Sequence, residues 1–246
     1  MAIIIIPSRL GSKRFKGKPL ALIAGKSMIQ RVYEQAAKSN NISRVVVATD
    51  DQQIFDIVKG FNGESVMTVS DLRSGTDRVA QAANILKIRS DEIIINVQGD
   101  QPVFNFKIID ELIAPFARDT EIQMATIACK IKNKNEITNP KDVKIIFDKN
   151  NFAIYFSRAQ IPYPRDNGSL PEYYKHLGFY AYKKSFLDKI SEFESGEYEN
   201  IEKLEQLRIL EYGFKIKVSI TQYDAPGVDI PEDIQKIEQY LKNNNN

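Results

Sequence analysis

The chain has 246 residues, with 34 basic against 32 acidic side chains and a net charge of +2. That balance excludes a global field for nucleic acid or a membrane surface, so any positive charge that matters is local. A hydrophobic share of 43% supports one large core or two small ones, and no apolar run approaches the roughly 18–20 residues of a membrane span.

The stretch that organises the chain is its first. Ile3 to Ile6 form a short apolar run closed by Pro7, the pattern of a strand buried on both faces of a parallel sheet. Five cations and two glycines follow within the eleven residues Ser8 to Lys18. A cationic loop at the carboxyl end of a first parallel strand is a ligand site in open α/β sheets, here suited to phosphate. Because the chain opens on a strand pattern rather than a basic-then-apolar leader, no signal peptide is expected.

Ser27 and Gln30 then read as a capping box before apolar positions at helical spacing, Met28, Ile29, Val32, Tyr33 and Ala36. Arg44 to Ala48 is a second buried strand, followed by a helix over about Gln52 to Lys59. Ser65 to Val69 is a third strand, and Ser74-Gly75-Thr76-Asp77-Arg78 opens a helix to about Lys87. Glu92 to Val97 is a fourth strand, running into Gln98-Gly99-Asp100-Gln101-Pro102. Asn105 caps a further helix that Pro115 should end or kink. Strand and helix alternating four times predict an α/β fold, a doubly wound and mostly parallel sheet.

The second half reads differently. Met124 to Ile131, Val143 to Phe147 and Phe152 to Phe156 are strand-like, with a hairpin turn at Asp148-Lys149-Asn150-Asn151. Pro162 to Pro171 is a loop, Gly178 to Tyr182 a strand, and Asn200 to Tyr212 a helix ended by Gly213. Lys215 to Ile220 is a last strand, and a closing helix spans Pro231 to Lys242. The expected organisation is one domain over residues 1–246, with an antiparallel excursion at about 130–175. Cys129 is the sole cysteine, which excludes an internal disulfide and points to a reducing compartment. The expectation is a cytoplasmic protein with neither nucleic acid nor membrane as partner. The chain has no internal repeat, and only Asn243 to Asn246 is low-complexity and expected to fray.

The cationic loop is not a Walker motif. Five residues separate Gly11 from Gly17, and Pro19 stands where the magnesium-binding hydroxyl would be. No Gly-x-Gly-x-x-Gly is present either, so phosphate must be held by cations and backbone donors arranged in another way.

Ile6 to Leu20, IPSRLGSKRFKGKPL, resembles the opening signature of sugar-acid cytidylyltransferases. The resemblance continues in order through Ala48-Thr49-Asp50, Ser74 to Arg78, Val97 to Pro102, Tyr155 to Arg158, His176 to Tyr180, Leu204 to Arg208 and Gly227 to Asp233. This ordered set is similar to the 3-deoxy-manno-octulosonate (Kdo) cytidylyltransferases. Two departures from the pattern are visible. Phe15-Lys16 replaces a pair such as Leu-Pro and adds a charge, and Ile230 replaces a threonine, removing a helix cap worth about 1 kcal/mol.

The resemblance implies that CTP and Kdo give CMP-Kdo and pyrophosphate, for lipopolysaccharide synthesis, by in-line attack of the anomeric hydroxyl on the α-phosphorus. It also implies Mg2+ as cofactor and a homodimer formed through the antiparallel excursion. On this reading Asp100 and Asp229 converge on the metal. Lys18 and Arg9 hold phosphate oxygens, with Lys18 on the α-phosphoryl group, and Arg14 reaches the outer phosphates. Pro7, Ser8, Ser74, Gly75 and Arg78 face cytosine, although Thr76 or Asp77 is expected to cap the helix that follows. Arg158 and His176 are candidates for the sugar carboxylate, and Gln98, Tyr180, Glu205 and Gln206 for its hydroxyls. Tyr155 and Phe156 read as core or dimer contact. Three alternatives stay open: another sugar acid, 8-amino-Kdo or sialic acid; a methylerythritol phosphate as acceptor; and a non-catalytic nucleotide-binding module.

Overall fold

The computed structural model describes residues 2–11, 15–166 and 171–244. The chain divides into two compact units, one formed by Met1–Asp110, Lys183–Ser185 and Ala225–Asn246, the other by Glu111–Tyr182 and Phe186–Asp224.

The first unit begins with β1 (Ala2–Ser8), a short hairpin β2 (Leu22–Ile23) and β3 (Lys26–Ser27), and α1 (Met28–Ala36). It continues through β4 (Ile42–Thr49), α2 (Gln52–Gly60), β5 (Glu64–Met67), α3 (Gly75–Ile85), β6 (Ile93–Asn96) and the start of α4 (Lys107–Arg118). Its strands run parallel in the order β6-β1-β4-β5. The isoleucine run behaves as its composition predicts: Ile4, Ile5 and Ile6 are fully buried, because a central parallel strand is covered on both faces.

Local capping explains the helix starts. Ser27 accepts from the Gln30 amide, and Asp51 from those of Gln53 and Ile54. The expected capping box at α1 is only half made, since the Gln30 side chain turns to Glu34 instead. The cap of α3 is Ser74, which accepts from the Asp77 amide at 3.1 Å, rather than Thr76 or Asp77.

Pro115 does not end α4, which runs on to Arg118. The carbonyl that Pro115 leaves without its amide partner is that of Glu111, four residues back, and the Ser219 hydroxyl donates to it at 2.8 Å.

The second unit holds β7 (Met124–Lys130), α5 (Asn135–Thr138), β8 (Lys144–Phe147), β9 (Ala153–Ser157), β10 (Tyr174–Lys183), α6 (Lys184–Ser191), α7 (Glu197–Glu202), α8 (Gln206–Glu211) and β11 (Lys217–Thr221). β11 pairs parallel with β7, whereas β7–β10, β10–β8 and β8–β9 are antiparallel. The β8–β9 turn forms as expected, with Asp148 Oδ1 accepting from the amides of Asn150 and Phe152 and Asn151 at φ 57°.

Two expectations need correction. β10 starts at Tyr174, four residues before Gly178, so His176 lies on the strand itself. The helix expected over Asn200 to Tyr212 is two helices, because Lys203 takes a left-handed conformation at φ 54° and caps α7.

The chain returns to the first unit in α9 (Asp233–Asn244). Ile234, Ile237 and Leu241 pack with Phe15, Ile23, Met28, Val103 and Val228. The loss of a threonine at position 230 is made good locally, since the Asp233 carboxylate accepts from the amides of Asp229 and Ile230 at 3.0 and 3.2 Å.

Candidate active site

In the first unit, three segments meet at the carboxyl end of β1. A Cβ placed on Gly99 would stand 3.0 Å from the Pro7 carbonyl oxygen, so a side chain here would push the β6 turn back from the strand end by a few tenths of an ångström. A Cβ on Gly75 would touch the Pro7 ring at 3.6 Å, which brings the start of α3 to the same point. Ser8 is buried there with its hydroxyl unpartnered. Such an orphan is costly unless a ligand satisfies it.

Lys18 closes the arrangement. Its ammonium donates to Asp100 Oδ2 at 2.7 Å and to the Val228 carbonyl at 2.9 Å. The Val228 amide in turn donates to the Asp100 carbonyl at 2.9 Å. The cationic loop, the β6 turn and the segment that carries Asp229 are therefore tied together across more than 200 positions of sequence by one lysine. The lysine side chain is 14% exposed and that of Asp100 36%, so the carboxylate keeps an open side while its partner is largely enclosed.

The remaining candidates of this unit are placed as follows. Gln98 precedes Gly99 and is half-buried, and Arg9 is exposed just beyond β1. Arg78 is buried and donates to Thr68 Oγ1, to the Val69 carbonyl at 3.3 Å and to Asp50 at 3.1 Å. Its guanidinium thus braces β4 and the segment after β5, and Asp50 of the Ala48-Thr49-Asp50 motif is its partner. Ser74 is occupied as the α3 cap. Arg14, assigned to the outer phosphates, lies outside the described residues.

The acceptor-sugar candidates other than Gln98 belong to the second unit. Arg158 donates from Nε to the Glu202 carbonyl at 2.7 Å, from Nη1 to that of Pro140 at 2.9 Å, and from Nη2 to that of Lys203 at 3.4 Å. Two of these carbonyls form the carboxyl end of α7, where a cation is favoured. Three of its five hydrogens are used, leaving two for an anion.

His176, a candidate for the sugar carboxylate, stands on β10. Burial pushes its pKa down to about 3, so the ring is neutral at physiological pH. It packs against Phe156 and Tyr180, with ring centroids 5.0 and 5.3 Å away. The Tyr180 hydroxyl donates to Gln206 Oε1 at 2.9 Å, while Gln206 Nε2 is buried and unpartnered. Burial, then the charges of Tyr182 and Glu205, pushes the Tyr180 phenol well above its usual range, so it stays protonated. Glu205 itself is exposed at the start of α8. Phe156 is core, and Tyr155 meets Tyr198 edge to face.

Comparison with known proteins decides the family. A sequence profile described as Cytidylyltransferase matches residues 3–217. The chain belongs to the cytidylyltransferase family.

It is 53% identical over 240 residues to the 3-deoxy-manno-octulosonate cytidylyltransferase of Desulfatibacillum aliphaticivorans, covering 98% of each chain. It is 49% identical over 239 residues to the 8-amino-3,8-dideoxy-manno-octulosonate cytidylyltransferase of Shewanella baltica (strain OS195), covering 97% of each. A solved structure of CMP:2-keto-3-deoxy-manno-octonic acid synthetase complexed with CTP superposes with a TM-score of 0.91 at 38% identity, covering 98% of both chains.

In this cytidylyltransferase, sequence reasoning missed several structural partners. Thr126 lies 2.8 Å from His176 Nε2, and nothing in the strand pattern around it marks it. Arg208 stands in a quoted motif, yet its buried partner Glu199 lies outside every motif. The Cys129 thiol is pushed up to about 12, chiefly by burial, and is no nucleophile at neutral pH.

At the Tyr180–Gln206 pair, stability and a role toward the acceptor can be tested apart. Replacing both members by Phe and Leu removes a buried hydrogen bond together with an orphaned amide, which is nearly neutral or stabilising for folding. The double variant should therefore keep or raise the Tm while losing kcat/KM for the acceptor. Thermal unfolding and steady-state kinetics on one preparation check this, and unchanged kcat/KM would remove both residues from the acceptor site.

Proposed function

We propose that this cytidylyltransferase transfers the cytidylyl group of CTP to Kdo and releases pyrophosphate. The observation that carries the reading is the Lys18 contact with Asp100 and Val228, which sets a cation and two carboxylate-bearing segments at the carboxyl end of the central strands. Phosphoryl transfer of this kind is mostly positioning and charge neutralisation. Lys18, with Arg9 at the strand end, faces the charge that develops on the phosphoryl oxygens. The orphaned Ser8 hydroxyl and the backbone around Pro7, Gly75 and Gly99 offer the nucleotide polar groups at a point where no side chain intervenes.

The donor set fits Mg2+. Asp100 keeps an accessible side, and carboxylate oxygen is the hard ligand this ion prefers. Among the described residues no group of three or more His, Cys, Asp or Glu side chains is placed to hold a metal. Mg2+ is commonly held by one or two carboxylates, with substrate phosphates and water completing its shell. Asp100 and Asp229 would hold it, and when bound it would supply neutralising charge to the phosphates. Chelation is expected to abolish pyrophosphate release and added Mg2+ to restore it, and turnover that persists in excess chelator removes the metal from this reading.

Four arms test the function itself: pyrophosphate release from CTP and Mg2+ with Kdo, with 8-amino-Kdo, with sialic acid and with no acceptor. Release with Kdo alone supports the proposal. Release only with 8-amino-Kdo favours the second reading, which the 49% identical Shewanella baltica relative motivates. No release in any arm would leave a nucleotide-binding module.

A homodimer and a cytoplasmic setting complete the proposal. Ile154 on β9 is 56% exposed and Ile201 on α7 is 69% exposed, apolar surface in the second unit that a second copy of the chain would cover. Among the described residues no helix is long and apolar enough to cross a membrane. Sedimentation reads the oligomeric state, and a monomer at micromolar concentration would remove the dimer from the proposal.

A further inference from the structure

A bulge in β10 builds an unusual constellation in the second unit. Opposite β7, His176 pairs with Ala128 and Tyr180 with Thr126, so four steps on one strand match two on the other. The extra residues lie around Gly178, whose φ of +78° suits glycine. Bulges of this kind re-aim side chains. Here both the His176 ring and the Phe179 carbonyl come to the Thr126 hydroxyl, each at 2.8 Å.

Thr126 has a single hydroxyl hydrogen. It is fully buried, and it donates that hydrogen to the Phe179 carbonyl. A carbonyl oxygen cannot donate, and the reverse arrangement would set two oxygen lone pairs against each other 2.8 Å apart. Thr126 therefore has only lone pairs to offer His176, and Nε2 must be the donor. In a neutral imidazole the other nitrogen is then an acceptor.

We propose that Thr126 is a positioning residue, which fixes His176 as the Nε2–H tautomer so that a bare Nδ1 accepts a hydrogen bond from a hydroxyl of the acceptor sugar. The inference rests on the reading of His176 as part of the acceptor site. It changes what that residue does: a neutral ring with an acceptor nitrogen reads a hydroxyl and offers nothing to a carboxylate. A nitrogen that accepts from the hydroxyl orients the sugar, and that is the role assigned to His176 here. The imidazole packs edge to face on Phe156 and tilted against Tyr180, and it is only half-buried, so Nδ1 is not sealed off.

His176 is the only histidine in the chain, so the imidazole nitrogens of the 15N-labelled full-length protein are assigned without mutagenesis. Long-range 1H–15N correlation at neutral pH is expected to show Nε2 protonated and Nδ1 bare. Adding Kdo with Mg2+ and no CTP should shift Nδ1 in the direction of an accepted hydrogen bond and leave Nε2 unmoved. Thr126→Val should lose the single tautomer and raise KM for Kdo about tenfold, with kcat and KM for CTP near wild type. Thr126→Ser should restore both.

A ring protonated at Nδ1, or at both nitrogens with Kdo bound, overturns the inference while Kdo-dependent pyrophosphate release leaves the function standing. Absence of that release sinks the function, and with it the sugar as hydroxyl donor, whereas the role of Thr126 in setting the tautomer is still decided by the free protein's spectrum. Because the wild-type spectrum decides the tautomer, a Thr126→Val chain that fails to fold does not shield the proposal.

Discussion

Replacing Lys18 by methionine is expected to lower kcat by a factor of about 10² to 10³, the usual consequence of removing a group that stabilises transition-state charge. The fold should survive. Asp100 is exposed enough for water to take over its freed oxygen, and the Val228 carbonyl loses one donor, at about 1 kcal/mol. For a chain of this length that corresponds to a Tm lower by about 2–4 °C. Pyrophosphate release and thermal unfolding on the same variant separate the two effects. If Lys18→Met turned over at the wild-type rate, the ion pair with Asp100 would be a structural strut and the phosphate role would fall.

The largest expected effect on stability lies elsewhere. Arg208 and Glu199 form a two-pronged pair, Nε to Oε2 at 2.7 Å and Nη2 to Oε1 at 2.5 Å, with side chains only 7% and 10% exposed. Removing one partner strands a charge in the interior. Arg208→Met is therefore expected to cost about 3–5 kcal/mol, a fall in Tm of about 10 °C. The double variant Glu199→Met with Arg208→Met should recover most of that loss, because no charge is left uncompensated. Glu199 also accepts from the Gly196 amide, so recovery should stop short of wild type by about 1 kcal/mol. Denaturant unfolding of the single and double variants reads this directly. Equal stability in the two would mean that burial of the charge is not what holds the pair together.

The parallel half was legible because a strand buried on both faces is apolar along its whole length, as Ile3 to Ile6 and Arg44 to Ala48 show. Helix starts were legible where a short polar side chain precedes an apolar period, as at Ser27, although the cap expected for α3 at Thr76 or Asp77 lies two or three residues beyond the actual one, Ser74. Pro115 does not end the helix, and the carbonyl it frees is met by Ser219, 108 positions away and so invisible to a local reading. The break at Lys203 was illegible for a related reason, since a left-handed lysine has no local sequence mark and tertiary contacts hold it there.

Arg158, Arg78 and His176 carry a common lesson. Residue type suggests what a side chain can bind, yet its protein partners decide how much of that capacity is left. Arg78 gives three hydrogens to Thr68, Val69 and Asp50, Arg158 gives three to backbone carbonyls, and burial holds the His176 ring neutral.

By itself the sequence determined the alternation of strands and helices, the phosphate-seeking character of the first loop and the family to which the chain belongs. These are properties of composition, period and ordered motif, all encoded within a few neighbouring residues. Only the tertiary structure decided that Lys18 faces Asp100 and Val228, and that the Thr126 hydroxyl meets His176 Nε2. Hydrogen bonds are short and directional, so which groups they join depends on positions brought together from far apart along the chain.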